Sequence, residues 1–309
     1  MVFLYIFLIL SVIIFFVAVI QRIVRIASAP IHLRWELYPV PHEKGRAHYG
    51  GSRLEEVDWW EKKQEKDHLG EIKVMFPEIV FLKGVWDHNR ALWIGSYPFH
   101  LALYLFSANI VFALLGGIMT MSGLPITAQA GGFAILLYYV ISIIAWSGAI
   151  VGLLGAIRLL IVRIVDKNLR LYSTPSHYFN IVLIGAIYFT VFLWLMQPGH
   201  FVEGITAFYA GLFTFTSVEL PAIAYWHIII SLLFVIYLPF THMTHFFTKY
   251  FTYHKIRWED KPNVAGGDIA TKVAKYLNQP VTWAAPHIGA DGNKNWIAIA
   301  SSNPLKEKK

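Results

Sequence analysis

The stretch YWHIIISLLFVIYLPFTHMTHFF, Tyr225–Phe247, contains an apolar run of membrane-spanning length, with His227 at one end and His242 and His245 at the other. About 20 consecutive apolar residues suffice to cross a bilayer core of about 30 Å as a helix. Ionisable side chains in or beside such a run cost free energy and by default mark a functional site. The stretch therefore predicts a transmembrane helix whose histidines have partners.

The composition of the whole chain is that of an integral membrane protein. Its 309 residues are 56% hydrophobic and 15% charged, and the mean hydropathy is +0.51. We interpret the first apolar run as an uncleaved anchor rather than a signal peptide, because Arg22 and Arg25 follow it and no basic region precedes it. We predict an all-α membrane protein with five transmembrane helices, over Val2–Ile20, Tyr97–Thr120, Ala134–Ile157, Tyr178–Met196 and Ala222–Phe240.

The distribution of basic residues predicts the orientation in the membrane. Of the 26 Arg and Lys residues, 12 lie in Arg22–Arg90, 4 in Arg158–Arg170 and 10 in Lys249–Lys309. The connections Ser122–Gly132 and Gln197–Pro221 contain none. By the positive-inside rule the N-terminus is outside, and the three basic segments, including the C-terminus, are cytoplasmic. This topology accounts for the net charge of +7, so the charge does not indicate nucleic-acid binding.

The segments outside the apolar runs predict two cytoplasmic pieces. Ser52–His68 has the pattern of an amphipathic helix capped by Ser52, with Glu55 three residues later. The half-apolar segment His200–Pro221 is expected to lie along or dip into the outer interface without spanning. The predicted organisation is a first transmembrane helix (1–20), a cytoplasmic insertion (21–96), a four-helix haem-binding core (97–248) and a cytoplasmic tail (249–309).

The side-chain inventory limits which redox centres the chain can hold. It has no cysteine, which excludes disulfides, an endogenous iron–sulfur cluster and covalently attached c-type haem. A metal or redox centre must therefore use histidine, methionine, carboxylate or backbone ligands. Thirteen histidines make imidazole the first candidate.

Three histidines have the spacing of axial haem ligands. His227 and His245 are 18 residues apart, so an uninterrupted helix would place them on one face, about 27 Å apart. His100 stands at the cytoplasmic end of the second span, at the depth expected for His245. Two neutral imidazoles converging inside a bundle are what a bis-histidine b-type haem requires. Small residues are expected to let the helices open a haem slot: Gly116, Gly117, Gly152 and Gly155.

These motifs resemble a family of membrane cytochromes b. The stretch His227–His245, closed by LPFTHMTH (Leu238–His245), is similar to the last helix of the gamma subunit of respiratory nitrate reductases. PFH (Pro98–His100) is similar to the first ligand motif on that family's second helix. The resemblance implies that His100 and His245 bind one haem iron and that His227 binds a second. The alternative for His227 is that it faces a quinol and accepts its proton.

Two further stretches resemble a closer branch of that family. They are HLRWELYPVPHE (His32–Glu43) and FFTKYFTYHKIRWEDKPN (Phe246–Asn263). The branch comprises the cytochrome b subunits of the transmembrane redox and sulfite-reductase-associated complexes of sulfate reducers, which are akin to the membrane subunit of methanogen heterodisulfide reductase. The resemblance covers nearly the full length.

The resemblance implies a function in anaerobic respiration in a prokaryotic cytoplasmic membrane. Haem b would exchange electrons with quinol, with menaquinol as the expected type. It would also exchange them with a cytoplasmic iron–sulfur subunit of the heterodisulfide reductase type. An outer-side cytochrome c is a second candidate partner.

One position departs from the nitrate reductase pattern. That pattern has a fourth histidine ten residues after the first on the second helix, and here the position is Ile110. Either the protein holds one haem, or the second haem takes an unusual ligand. His200 is the best candidate for that ligand, with Met119 and Met121 behind it.

A quinol site needs a proton acceptor near a lipid-open cleft, and the candidates on the outer side are His200, Glu203 and Glu219. Two other functions remain open. One is a haem-free anchor or docking subunit, and the other is a histidine-based proton or metal-ion transporter. A transporter predicts acidic residues in the middle of the membrane, and the five predicted spans contain none.

Overall fold

The chain forms two compact units, described separately below. The first comprises Met1–Val19 and Met75–Thr244, and the second comprises Ile20–Val74 and His245–Lys309. The computed structural model describes residues 1–28, 43–45, 56–58, 61–63, 65–197, 201–248 and 264–303.

The described chain is almost entirely helical, and the prediction of a five-helix membrane bundle is confirmed. Among the described residues, five helices are long and apolar enough to cross a membrane: Val2–Ser28, Arg90–Met121, Gly132–Val165, Pro175–Leu195 and Ala222–Phe240, the last of which includes the 3-10 turn Leu238–Phe240. The protein is therefore a multi-pass membrane protein. The helices are α1 (Val2–Ser28), α2 (His68–Val80), α3 (Lys83–His88), α4 (Arg90–Met121), α5 (Gly132–Val165), α6 (Lys167–Leu171), α7 (Pro175–Leu195), α8 (Phe201–Thr214) and α9 (Ala222–Tyr237).

Capping residues explain why two spanning helices begin where they do. The side chain of Asn89 accepts a hydrogen bond of 3.0 Å from the Leu92 amide and starts α4 seven residues before the predicted apolar run. Thr174 and His177 form a reciprocal capping box at the start of α7, with Pro175 in the first turn.

The helices pack in an order that defines two ends of the bundle. α5 packs against α4 and α7, α9 packs against α7, and α8 packs against α4. We call the end with residues 122–131 and 215–221 the neutral end, and the end with α6 the basic end. α8 has 14 residues and is too short to span, as the sequence predicts. One of its faces is buried in the bundle at the neutral end.

Close helix contacts fill the glycine positions at which a slot was predicted, so that prediction is wrong. A Cβ at Gly152 would lie 2.6 Å from the Tyr188 ring, and one at Gly155 would lie 2.5 Å from the Phe99 backbone nitrogen. Gly116 and Gly117 are filled in the same way by α8. These glycines bring neighbouring helices together instead of holding them apart.

The last spanning helix does not continue to His245. α9 ends at Tyr237, a 3-10 turn follows, and Thr241 has the extended dihedrals φ −110° and ψ 174°. The periodicity that placed His227 and His245 on one helical face therefore does not hold across Thr241. Pro239 in the 3-10 turn explains the break, because a proline cannot continue the hydrogen-bond ladder of α9.

The prediction of a helix over Ser52–His68 is also wrong for the described residues of that stretch. Residues 56–58 form a turn, and Lys66 forms an isolated bridge with Glu43. The helix begins at His68 because Asp67 caps it, accepting a bond of 2.8 Å from the Gly70 amide.

The C-terminal part of the second unit has a small core of its own. Helix Asp268–Leu277 precedes two short antiparallel strands, Ala284–Ala285 and Ala290–Asp291, and the helix Trp296–Ser301 follows. Its buried apolar residues are Val281, Ala290 and Ile299.

Candidate functional site

His100 lies in α4 two residues after Pro98, with its ring partly exposed. Its Nδ1 is 2.7 Å from the carbonyl oxygen of Ser96, one turn earlier. A carbonyl only accepts hydrogen bonds, so Nδ1 carries the proton and donates it. The lone pair of the neutral ring is therefore on Nε2, the atom that can bind a metal.

Tyr188 of α7 fixes the backbone beside His100. Its hydroxyl donates a hydrogen bond of 2.9 Å to the carbonyl of Phe99, and both groups are buried. The Tyr188 ring also lies 5.7 Å from the Phe99 ring and stacks on Phe106 at 5.5 Å. The position of His100 is thus held from the neighbouring helix as well as from its own.

His227 lies in the second turn of α9 and faces α7. Its Nδ1 is 3.1 Å from the hydroxyl oxygen of Thr190. That hydroxyl has carbonyl oxygens at 2.9 Å (Ala186) and 3.0 Å (Ile187), to which it donates its own proton. Its oxygen then accepts from Nδ1–H of His227, which again leaves the lone pair on Nε2.

His100 and His227 therefore share a hydrogen-bond arrangement typical of metal-binding histidines. Such a histidine usually donates its second ring N–H to an oxygen of the protein, which sets the tautomer and the ring orientation. Neutral imidazoles in this state match the axial ligands of a b-type haem in their chemistry. Within the described residues, no three His, Asp or Glu side chains cluster as a metal-ion site.

Two other histidines at the basic end are arranged differently. Nδ1 of His177 accepts a hydrogen bond of 2.9 Å from the Thr174 amide, so this ring serves as a helix cap with its proton on Nε2. The ring of His242 lies 4.7 Å from that of His177, and its Nε2 is 3.5 Å from the Asn180 amide nitrogen. Asn180 is buried and accepts a hydrogen bond of 2.9 Å from Tyr237.

The other residues considered as haem ligands differ in their exposure and in the unit to which they belong, and one of them lies outside the described residues. His245 is exposed and begins a helical turn, residues 245–248, in the second unit, so its pairing with His100 stays a prediction. His200 lies outside the described residues. Ile110 is 51% exposed on α4. Met119 packs partly buried against the core of the neutral end, whereas Met121 is exposed.

The neutral end contains a cavity with a buried carboxylate oxygen. The cavity has a volume of about 90 Å³. Oε2 of Glu203 is buried, and no group among the described residues hydrogen-bonds to it. Glu219, the other acidic candidate, is exposed. Tyr138, Ser142, Trp146, Leu195, Gln197, Phe201 and Val202 line the cavity together with Glu203.

Trp194 lies between His227 and the helix that carries Glu203. Its fully buried indole is 6.0 Å from the His227 ring on one side and 4.9 Å from the Phe201 ring on another. A Cβ at Gly204 would lie 3.1 Å from the same indole. His227 and the start of α8 are therefore separated by one aromatic side chain.

The sequence analysis did not identify Thr190, Tyr188 and Trp194 as parts of the site. A hydroxyl in an otherwise apolar span was the available signal for Thr190. Tyr188 and Trp194 are unremarkable in an aromatic-rich span, and their roles follow only from contacts across helices.

Comparison of the chain with protein-family models, with curated proteins and with solved structures finds no match in any of the three.

Proposed function

We propose that this protein is a haem b-binding membrane subunit that passes electrons between a quinone pool, expected to be menaquinone, and a cytoplasmic iron–sulfur partner. The orientation proposed with it places the basic end of the bundle in the cytoplasm and the neutral end outside, in a prokaryotic cytoplasmic membrane. The resemblance of the histidine motifs to the nitrate reductase gamma family motivates the proposal.

The observation that carries it is the shared hydrogen-bonding state of His100 and His227. Each ring donates from Nδ1 to a protein oxygen, at 2.7 Å and 3.1 Å, and keeps the lone pair on Nε2. His177, which caps a helix, has the opposite tautomer: its Nδ1 accepts a hydrogen bond and its proton is on Nε2.

In this proposal His100 and His245 hold one haem and His227 holds a second. A bound haem b would supply a one-electron redox centre with a potential that depends on its axial ligands and their hydrogen bonds. The protein's contribution is to orient the rings: Ser96 and Tyr188 act at His100, and Thr190 acts at His227.

The C-terminal tail is the proposed docking surface for the iron–sulfur partner. Trp283 and Trp296 pack edge to face at 5.8 Å and are each 44% exposed. Exposed tryptophans of this kind are enriched at the centres of protein interfaces. The absence of cysteine means that an iron–sulfur centre must belong to another subunit.

Optical spectroscopy of the purified protein tests the proposal. The dithionite-reduced minus oxidised spectrum should show a b-type α-band, and a pyridine haemochrome assay should give one or two haems per chain. His100→Ala and His227→Ala should each lose haem signal, and His177→Ala is the matched control that should retain it. A colourless wild-type protein would reject the proposal and leave the anchor or transporter alternatives.

A second pair of variants tests the assignment of ligands to haems. If His100 and His245 share one iron, His100→Ala and His245→Ala should abolish the same low-spin signal. Loss of different signals would show that the pairing is wrong while leaving the cytochrome assignment intact.

A further inference from the structure

We infer that Glu203 is a proton-exchange group that takes up protons released at the neutral end of the bundle and passes them to cavity water. The inference rests on the proposed function for the identity of the proton donor, a quinol. It assigns to the cavity a role in proton transfer, distinct from binding the quinol ring.

The size of the cavity distinguishes a role in proton transfer from a role in binding the quinol ring. Its volume is about 90 Å³, whereas small-molecule pockets usually have about 300 Å³ or more. A water molecule occupies about 30 Å³ in the liquid, so the cavity has room for a few waters and not for a two-ring quinone. We therefore place the quinol ring beside the cavity, from where it delivers protons into it.

The lining of the cavity suits proton transfer. The hydroxyl residues Tyr138 and Ser142 and the amide residue Gln197 line it together with Glu203, so water there would have the several polar partners that a buried water needs. Oε2 of Glu203 is buried and has no hydrogen-bond partner among the described residues. Water in the cavity would be the hydrogen-bond partner of this oxygen and would exchange protons with it.

The position of Trp194 relates the cavity to the proposed electron acceptor. This residue contacts His227 on one side, and on the other it contacts Phe201, which lines the cavity. A quinol at the neutral end would thus have a proton acceptor and an electron acceptor on either side of one indole ring.

The proton balance is simple. Oxidation of one quinol to a quinone releases two electrons and two protons. The Glu203 carboxylate accepts the first proton at Oε2, becomes neutral, and releases the proton to cavity water before it accepts the second. A haem held by His227, if bound as proposed, would supply the one-electron acceptor for the two electrons, which would leave one at a time.

Carbodiimide labelling of the full-length protein tests the inference without requiring haem. Dicyclohexylcarbodiimide is an apolar reagent that modifies protonated carboxyl groups. Mass spectrometry of the labelled protein between pH 5 and pH 8 should show at least ten-fold more adduct at Glu203 than at the exposed Glu219.

Two variants complete the experiment. Glu203→Gln should abolish the adduct and slow quinol-dependent reduction, with the spectrum of the dithionite-reduced protein unchanged. Glu219→Gln should leave both the adduct and the reduction rate unchanged. Equal labelling of the two carboxyls, or no adduct at Glu203 across the pH range, would overturn the inference even in a haem-containing protein. A labelled but colourless protein would instead reject the proposed function.

Discussion

The Nδ1 atom of His227 on α9 and the hydroxyl of Thr190 on α7 are joined by a hydrogen bond of 3.1 Å between neighbouring membrane helices. Replacing the outer oxygen partner of a metal-binding histidine typically weakens metal binding about 10–100-fold. Thr190→Val should therefore reduce haem retention, measured by pyridine haemochrome content after detergent dilution. Thr190→Ser keeps the hydroxyl and should behave as wild type. Equal haem content in both variants and wild type would remove Thr190 from the site.

The contact between Gly152 and Tyr188 predicts a stability effect. A methyl group at Gly152 would press on the Tyr188 ring at 2.6 Å, and overpacking of a core typically costs about 1–3 kcal/mol. Gly152→Ala should lower the thermal midpoint and disturb the Tyr188 bond that holds Phe99 beside His100. Gly185→Ala is the matched control, because its Cβ would lie 3.4 Å from Ala156, an ordinary contact. Thermal unfolding followed by light scattering and haem absorbance measures both variants, and similar midpoints would contradict the packing argument.

The exposed tryptophan pair of the tail predicts a binding defect. Trp283→Ala combined with Trp296→Ala should weaken binding of the iron–sulfur partner about 30-fold or more, since interface hot spots are worth about 2 kcal/mol or more. Co-purification and surface plasmon resonance measure this. Trp226→Ala, an exposed tryptophan on α9, is the control and should leave binding unchanged. Deletion of Asn263–Lys309 should abolish binding but preserve the haem spectrum, and a stoichiometric partner in that variant would show that docking lies elsewhere.

The stability of the turn that follows the strand Ala290–Asp291 is predicted to depend on pH. Amide groups of Asn293 and Lys294 each donate a bond of 2.9 Å to Asp291 Oδ1 and hold the pKa of that carboxyl below its usual value. Because the pKa of Asp291 is lower in the folded state, these hydrogen bonds stabilise the turn at any pH above the usual Asp pKa of about 3.9. This stabilisation is lost as the pH falls through the lowered pKa of the folded state. Protection factors of this turn, corrected for the intrinsic exchange rate at each pH, should be high at pH 5 and fall as the pH drops below the usual Asp pKa, and they should be low in Asp291→Ala at pH 5. Unchanged protection in the variant would show that the carboxylate does not hold the turn.

Hydrophobic run lengths predicted the spanning helices well, because an apolar segment of sufficient length in a membrane protein has few alternatives to a helix. Their ends were predicted less well. α4 starts at Arg90 because of the Asn89 cap, and α2 starts at His68 because of Asp67, and both caps lie outside the apolar pattern.

The candidate site was predictable only in its residue types. The spacing of the histidines identified His100 and His227. The prediction that His227 and His245 lie on one helical face assumed an unbroken helix, whereas the helix ends just before Pro239. The partners Tyr188 and Thr190 depend on which helices become neighbours, which a period of 3.6 residues does not encode. Glu203 was named as an acid on the outer side, whereas its burial depends on α8 packing into the bundle.

The attachment of α1 to the bundle has a consequence for biosynthesis. Tyr5 is fully buried and donates a hydrogen bond of 3.0 Å to the carbonyl of Thr216, and Gly211 leaves room for its hydroxyl. Thr216 is translated 211 residues after Tyr5. The hydrogen bond between them can therefore form only after α8 and the loop that follows it have been synthesised, when α1 is already in the membrane. Docking of Tyr5 beside the helix that carries Glu203 is therefore a late step of assembly.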